Sequence, residues 1–403
     1  MRTEGMRRRA ERGRGVGAGV LLLGLLAVLV AGCAEEETGL SQKLAGPAEG
    51  RILPELEDYY RTFVLDADHA WVVGSRGVIL HLTNNGENVE LLNSGVEKAL
   101  YDVNFVDPQN GIVVGQEGTL LKTTDGGKSW RKISIELHLE DWQKALPHFF
   151  GLSRGADPNK IWVVGPVGTI LRSRDGGETW ENITLPAPPE QFGGRNWDLT
   201  LNGVYFADDN EGWIVGEFGK ILHTTDGGDN WERQVNVLNL PKFTRPELSE
   251  EEALKRRVPE LHLEDLYILG VSFLDNDRGF VAAESGILLE TVDGGATWTN
   301  VSSGSFNTLL SVTAVRRDGS SLTLASGVLG TIARKTENGG WTFLSQVQER
   351  VLTWIRSTSF DKAGDFGVAC GGKGTILLTG DGGKNWTQVP SEKLQRLAVG
   401  QSA

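Results

Sequence analysis

Five octets of almost the same spelling recur along this chain of 403 residues: TTDGGKSW (123–130), SRDGGETW (173–180), TTDGGDNW (224–231), TVDGGATW (291–298) and TGDGGKNW (379–386). Repetition restricts a fold more tightly than local propensity does. A short repeated unit cannot bury its own apolar face and must stack on copies of itself. Aligning the chain on the glycine turn that precedes each octet extends the repeat to seven units, with turn glycines Gly77, Gly118, Gly168, Gly219, Gly286, Gly330 and Gly374. Most intervals are roughly 40–50 residues, with one longer interval before Gly286.

Each unit reads as strand, polar turn, strand, glycine turn, strand, DGG turn, strand. Lead-ins such as VNFVDPQNG (103–111), VYFADDNEG (204–212) and VSFLDNDRG (271–279) supply the first strand and turn. The apolar residues alternate or run in short blocks, as half-buried and buried strands do, and no unit shows a helical period. Four short strands at this period predict an all-β chain, a seven-bladed β-propeller of four-stranded antiparallel blades. Its predicted span is residues 56–390, followed by a C-terminal tail at 391–403. Ring closure is expected to bring the blade beginning near Arg61 against the one ending near Val389; whether an N-terminal strand completes the last blade is open at this stage.

The octet is expected to carry shape, with Asp125, Trp130, Asp175, Trp180, Asp226, Trp231, Asp293, Trp298, Asp381 and Trp386 as structural positions. Its glycines supply positive φ for a tight hairpin. The Asp and the preceding Ser or Thr are able to accept the turn's own amide protons. The Trp buries a large apolar face. Units 1 (TNNGENVE) and 6 (TENGGWTF) lack the full spelling.

The N-terminus reads differently. A basic stretch is followed by an apolar run of 15 residues, VGAGVLLLGLLAVLV, and then Val30-Ala31-Gly32-Cys33. The run is shorter than the roughly 20 residues of a membrane span. Small residues before a cysteine predict a lipoprotein signal peptide over 1–32, with Cys33 lipidated and 33–55 a polar tether. Ala34 after the cysteine favours, by resemblance to Gram-negative sorting, an outer-membrane anchor facing the periplasm. Beyond residue 32 the formal charge falls from −13 to −17, since six basic and two acidic residues lie before it. That disfavours a nucleic-acid partner, which needs a basic stripe. The one remaining cysteine, Cys370, reads as a small buried hydrophobe.

The octet resembles the Asp-box, or BNR repeat, and the whole unit VGxxGTILxTxDGGxxW resembles the photosynthesis system II assembly and stability factor family over roughly residues 56–390. That resemblance implies a non-catalytic, monomeric scaffold that binds a membrane protein or membrane complex: a photosystem II intermediate in a photosynthetic host, otherwise another envelope assembly such as a transporter. Long insertions at 131–147, 181–200 and 232–262 depart from the pattern. No arginine cluster of the kind found on one face of photosynthetic members stands out, with Arg316 and Arg317 adjacent but isolated.

Asp-boxes also occur in sialidases, so a glycan-binding or glycoside-hydrolase-like propeller is the alternative. A sialidase needs an arginine triad, a Tyr–Glu nucleophile pair and an acid. The candidate tyrosines are Tyr59, Tyr60, Tyr101, Tyr205 and Tyr267, and no such set is legible, so no catalytic residues are assigned. The chain lacks a Walker loop, a CxxC pair and an HExxH motif, so no cofactor or resident metal is expected. LEDYY (56–60), LHLEDW (137–142) and LHLEDL (261–266) each precede a blade. They predict an acidic rim of Glu57, Asp58, Glu140, Asp141, Glu264 and Asp265 at one mouth of the channel, for docking a protein. With His138 and His262 this set has donors suited to a divalent cation; the simpler reading is solvated acidic loops. Trp197, in the Pro-rich insertion 185–197, is a further candidate contact, and 235–260 is a candidate binding arm with a short capped helix over 250–257.

Overall fold

A computed structural model describes residues 57–137, 146–183, 185, 200–240, 262–301, 305–317, 319–344, 351 and 353–398. Among these residues the strands form seven sheets, each built from consecutive strands, so the protein is a seven-bladed β-propeller. Blades 1 to 7 occupy residues 59–93, 100–132, 151–182, 201–233, 268–300, 309–343 and 355–388. The first strand of each blade packs against the first strands of its two neighbours, the strand of blade 7 (Ile355–Phe360) against that of blade 1 (Tyr59–Asp66), which closes the ring.

The lead-in motif has a packing cause. In blades 2, 4, 5 and 7 the Phe on the inner strand pairs across the hairpin with the motif's Gly: Phe105 with Gly111, Phe206 with Gly212, Phe273 with Gly279, Phe360 with Gly367. The ring lies flat over the glycine, where a Cβ would overlap it. In three interfaces the other face of that ring stacks on a Trp of the preceding blade, with centroids 3.5 Å apart for Trp71–Phe105, Trp162–Phe206 and Trp213–Phe273.

The octets do local work. Thr123 Oγ1 donates to Asp125 Oδ1 (2.7 Å) and accepts from Gly127 N (2.9 Å), while Asp125 Oδ1 accepts from Ser129 N (2.9 Å). In blade 4, Asp226 accepts from both Asn230 N (2.9 Å) and Asn230 Nδ2 (2.7 Å). These donors hold the Asp125 and Asp226 carboxyls down at about 2, the Ser129 hydroxyl contributing most at the first and the Asn230 amide at the second. In four of the five octets the closing Trp then packs edge-on to an inner-strand Phe. Trp298 meets Phe273 at 5.9 Å and 86°, and Trp386 meets Phe360 at 5.8 Å and 72°. Trp130, Trp180, Trp231, Trp298 and Trp386 thereby each join the core shared with the blade before.

Blade 1 has no such Trp, and the closing interface is built differently. No N-terminal strand joins blade 7 among the described residues; all four of its strands come from 355–388. Instead the segment expected to be a tail carries helix α1 (Ser391–Ala398), which lies against the outer strand of blade 1. Leu394 and Leu397 enter the core between blades 7 and 1, beside Val89, Leu80 and Val368. Across the inner strands, Thr62 N and Val64 N donate to Ser357 Oγ and Ser359 Oγ (3.3 and 2.9 Å). Cys370 lies in the same core with no exposure, and burial raises its thiol far above the usual range.

The longest insertion begins by widening a sheet. Val237–Leu238 pairs in parallel with the outer strand of blade 5 (Trp298–Asn300), and Gln234 Oε1 accepts the Trp298 indole N–H at 3.1 Å. It thus covers an exposed sheet edge, a position proteins commonly protect. The capped helix read over 250–257 lies outside the described residues.

Candidate functional site: the channel mouth

Chain direction puts the seven glycine turns and the start of each inner strand on one face of the disc, with the DGG turns on the other. Each glycine turn has two successive residues at positive φ, for example Arg76 (49°) with Gly77 (70°) and Phe218 (55°) with Gly219 (59°). The second must be Gly, because its N–H and Cα abut the linker of the next blade: Gly219 N donates to Leu266 O (2.8 Å) and Gly118 N to Pro147 O (2.8 Å). The first presents its side chain beside the linkers.

Among the described residues, the acidic residues of the linkers do not form one open rim. Glu57 is 3% exposed; its carboxylate accepts from Arg76 and from Ser75 Oγ, side chains of the blade 1 turn. A carboxylate so occupied is not offered to a partner. The same geometry recurs with signs reversed in blade 2, where Lys98 pairs with Glu117. Asp58 is half-buried, and its Oδ1 accepts from Lys373 N (3.1 Å) in the glycine turn of blade 7; burial raises its carboxyl above the ordinary value. Glu57 and Asp58 therefore help close the ring. Glu264 and Asp265 are exposed, in a single helical turn where Asp265 Oδ2 accepts from His262 N (3.0 Å). Glu140, Asp141, His138, Trp197 and Cys33 lie outside the described residues. Among the described residues no group of three or more His, Cys, Asp or Glu is able to hold a metal ion.

The mouth is lined by residues that the repeat alignment did not single out. In six blades the inner strand bulges at the same place, between Tyr59 and Arg61, Leu100 and Asp102, Leu201 and Gly203, Leu269's two neighbours, Leu309 and Ser311, and Ile355 and Ser357. A bulge re-aims the extra side chain. The bulged residues are Tyr60, Tyr101, Asn202, Leu269, Leu310 and Arg356. Phe150 takes the corresponding place in blade 3, just before the Gly151–Val164 pair. The aromatic ones are contiguous: Tyr60 and Tyr101 have centroids 5.4 Å apart, Tyr101 and Phe150 5.5 Å, and Trp354, two residues before Arg356, stacks on Tyr60 at 6.0 Å with planes 2° apart. Blades 7, 1, 2 and 3 thus give one arc of aromatic rings. His148 continues it at 5.9 Å from Phe150; its Nδ1 accepts from Glu117 N (3.0 Å), and burial lowers its pKa, so it is neutral. The signal was available in sequence as the second letter of YYRT, LYDV, FFGL, LNGV, ILGV, LLSV and IRST, but only pairing reveals that this column leaves the alternation.

Two guanidiniums flank the arc. Arg61 Nε donates to Asp102 Oδ1 (3.0 Å), whose carboxylate also accepts from Val103 N (2.8 Å) and Leu152 N (2.9 Å). Burial by itself raises the Asp102 carboxyl, but a group accepting from three N–H donors is held as the anion. Arg316 and Arg317 sit on the opposite face, pairing with Asp275 (2.9 Å) and Asp365 (3.4 Å) of the flanking blades.

The other chemical cluster is an open cleft between blades 4 and 5 that includes Glu211, His223, Glu232 and Arg233. His223 bonds Glu211 (2.6 Å) and stacks on Trp213 at 4.8 Å, a packing role that leaves no placed nucleophile.

Fold and mouth together define an Asp-box propeller with aromatic rings at one channel mouth. The sequence profile described as photosynthesis system II assembly factor YCF48 matches residues 88–148 and 148–242. Over those residues the chain is similar to this family. It is 29% identical over 253 residues to a photosystem II assembly lipoprotein Ycf48 of Synechococcus, a match covering 63% of this chain and 45% of that protein, so it spans about half the relative's length. Among solved structures, one described as YCF48 bound to D1 peptide superposes with a TM-score of 0.52 at 20% identity, covering 73% of this chain and 82% of that one. The GH74 xyloglucanase of Xanthomonas campestris superposes with 0.60 at 12% identity, covering 85% and 55%, and shares the fold alone.

Proposed function

We propose that this protein is a lipid-anchored, monomeric, non-catalytic scaffold that holds a segment of a membrane protein outside the cytoplasm during assembly. The match of residues 88–242 to the assembly-factor profile carries the reading. It is supported by an aromatic channel mouth on the face that also bears the glycine turns, and by the small residues leading to Cys33 after a 15-residue apolar run. In a photosynthetic host the client is a photosystem II intermediate; in another host it is a different envelope assembly, such as a transporter. The anchor puts the disc within reach of the membrane, on the periplasmic side of the outer membrane.

The test is cross-linking of the tagged chain in its own cells, with identification of what co-purifies. One recurrent membrane protein supports the reading. Recovery of polysaccharide alone, or of nothing above background, refutes it. Labelling with a radioactive fatty acid, lost in Cys33→Ser, checks the anchor.

A further inference from the structure

The ring of bulged side chains is asymmetric in chemistry. Blades 1 to 3 contribute aromatic rings, and blades 5 and 6 contribute Leu269 and Leu310. Blade 7 contributes Arg356, within electrostatic reach of Tyr60, Tyr101 and Arg61. The side chain is half-buried, with desolvation the largest influence on it. No ion-pair partner is found for it among the described residues. The carboxylate in its electrostatic range, Asp102, is committed to Arg61 and two backbone amides. Burial lowers the Arg356 pKa, and Arg61 lowers it further, but the shift leaves an arginine cationic at any ordinary pH. The channel mouth therefore holds an uncompensated positive charge beside a stack of rings, on an otherwise acidic protein.

A half-buried guanidinium without a carboxylate of its own gains most when an anion reaches it, and such charge-assisted, bidentate pairs are among the strongest hydrogen bonds. Aromatic anchors with an adjacent Arg are the residue types that dominate binding energy at protein contacts. Resting on the scaffold reading above, we propose that the channel mouth is the point at which the client is gripped: it takes an extended acidic peptide segment, seating an aromatic side chain against Trp354, Tyr60 and Tyr101 while a neighbouring carboxylate pairs with Arg356. Selectivity then comes from charge at Arg356 and from ring contact at the arc. The exposed acids Glu264 and Asp265 on the same face repel acidic segments that approach away from the channel.

The test uses the full chain and three blocked synthetic peptides: acetyl-Gly-Glu-Phe-Glu-Gly-amide, its Lys-Phe-Lys counterpart and its Glu-Ala-Glu counterpart, titrated by ligand-detected NMR. The Glu-Phe-Glu peptide is expected to bind at least ten-fold more tightly than either other. Arg356→Gln abolishes the preference for Glu over Lys, Arg356→Lys restores part of it, and Tyr60→Leu abolishes the preference for Phe over Ala. Unchanged melting temperatures show that each variant is folded; a variant that melts early is replaced by Trp354→Leu at the arc. Equal affinity for all three peptides, or no binding, overturns the proposal, as does preferential binding of a xylo-oligosaccharide probe. In cells, client capture that is undiminished in Arg356→Gln overturns this inference and leaves the scaffold reading standing. Absence of any client for the unaltered chain overturns both.

Discussion

Ring closure by helix α1 makes a quantitative prediction. Five of the other interfaces are stapled by an octet Trp, and the interface between blades 7 and 1 has Leu394 and Leu397 where no Trp is available. Leu394 is 5% exposed, so Leu394→Ala removes nearly a full leucine's burial and leaves a void against Val89 and Val368. Transfer alone is worth about 2 kcal/mol, and measured core Leu→Ala losses run from about 2 to 5 kcal/mol. A short terminal helix relaxes more readily than a strand, which puts the loss near the lower end, roughly 2–3 kcal/mol. At about 2 °C per kcal/mol for a domain of this size, the melting temperature falls by roughly 4–6 °C. Differential scanning fluorimetry and urea unfolding read it directly. Trp298→Ala, at a fully buried staple, serves as the reference and is expected to lose about 3–5 kcal/mol. If Leu394→Ala shifts the midpoint by less than 1 °C while Trp298→Ala behaves as stated, the helix does not close the ring and the argument fails.

Other expectations follow from single residues. Trp130 and Trp180 are only half-buried, so their replacement by Ala is expected to cost less than that of Trp298 in the same urea assay. Glu57→Gln leaves Arg76 without its carboxylate partner near Ser75 and is expected to destabilise by about 1–3 kcal/mol; retention of full stability would show that the pair is dispensable. Gly219→Ala places a side chain at a φ of 59° against the Leu263 carbonyl, so a marked loss of stability or of soluble yield is expected, and a wild-type melting curve would refute the turn argument. The octet carboxyls are depressed to about 2 at Asp125, Asp226 and others, so their contribution is complete above about pH 4 and is lost as the pH falls toward 2. His81 is lowered to about 4, chiefly by burial. Its folded form binds fewer protons than the unfolded chain between about pH 6.5 and 4, so stability declines through that window as well. A pH series of melting temperatures on Asp226→Asn and His81→Gln should flatten each segment separately; parallel curves would contradict the assignment.

Much of the architecture was written in the spacing. Positive φ at paired residues, an Asp that caps its own hairpin and an alternation of apolar residues act over a few residues, so the local spelling dictates them wherever it occurs. The Phe-to-Gly pairing is equally local, which is why the lead-in motif recurs so regularly. The acidic rim was a weaker inference because charge does not reveal its partner: Glu57 and Asp58 turned out to face Arg76 and the amide of Lys373, the latter 315 residues away. Likewise the segment after residue 390 has no repeat to announce it, and its apolar residues acquire a role only once blade 1 is found to lack an octet Trp.

Sequence by itself therefore determined the number of blades, the order of their strands and the two kinds of turn, since each is enforced by contacts between near neighbours in the chain. Tertiary structure alone decided which residues line the channel. A bulge exists only when two strands are paired, and the arc of Trp354, Tyr60, Tyr101 and Phe150 joins blades 7, 1, 2 and 3, whose inner strands become neighbours only when the ring closes.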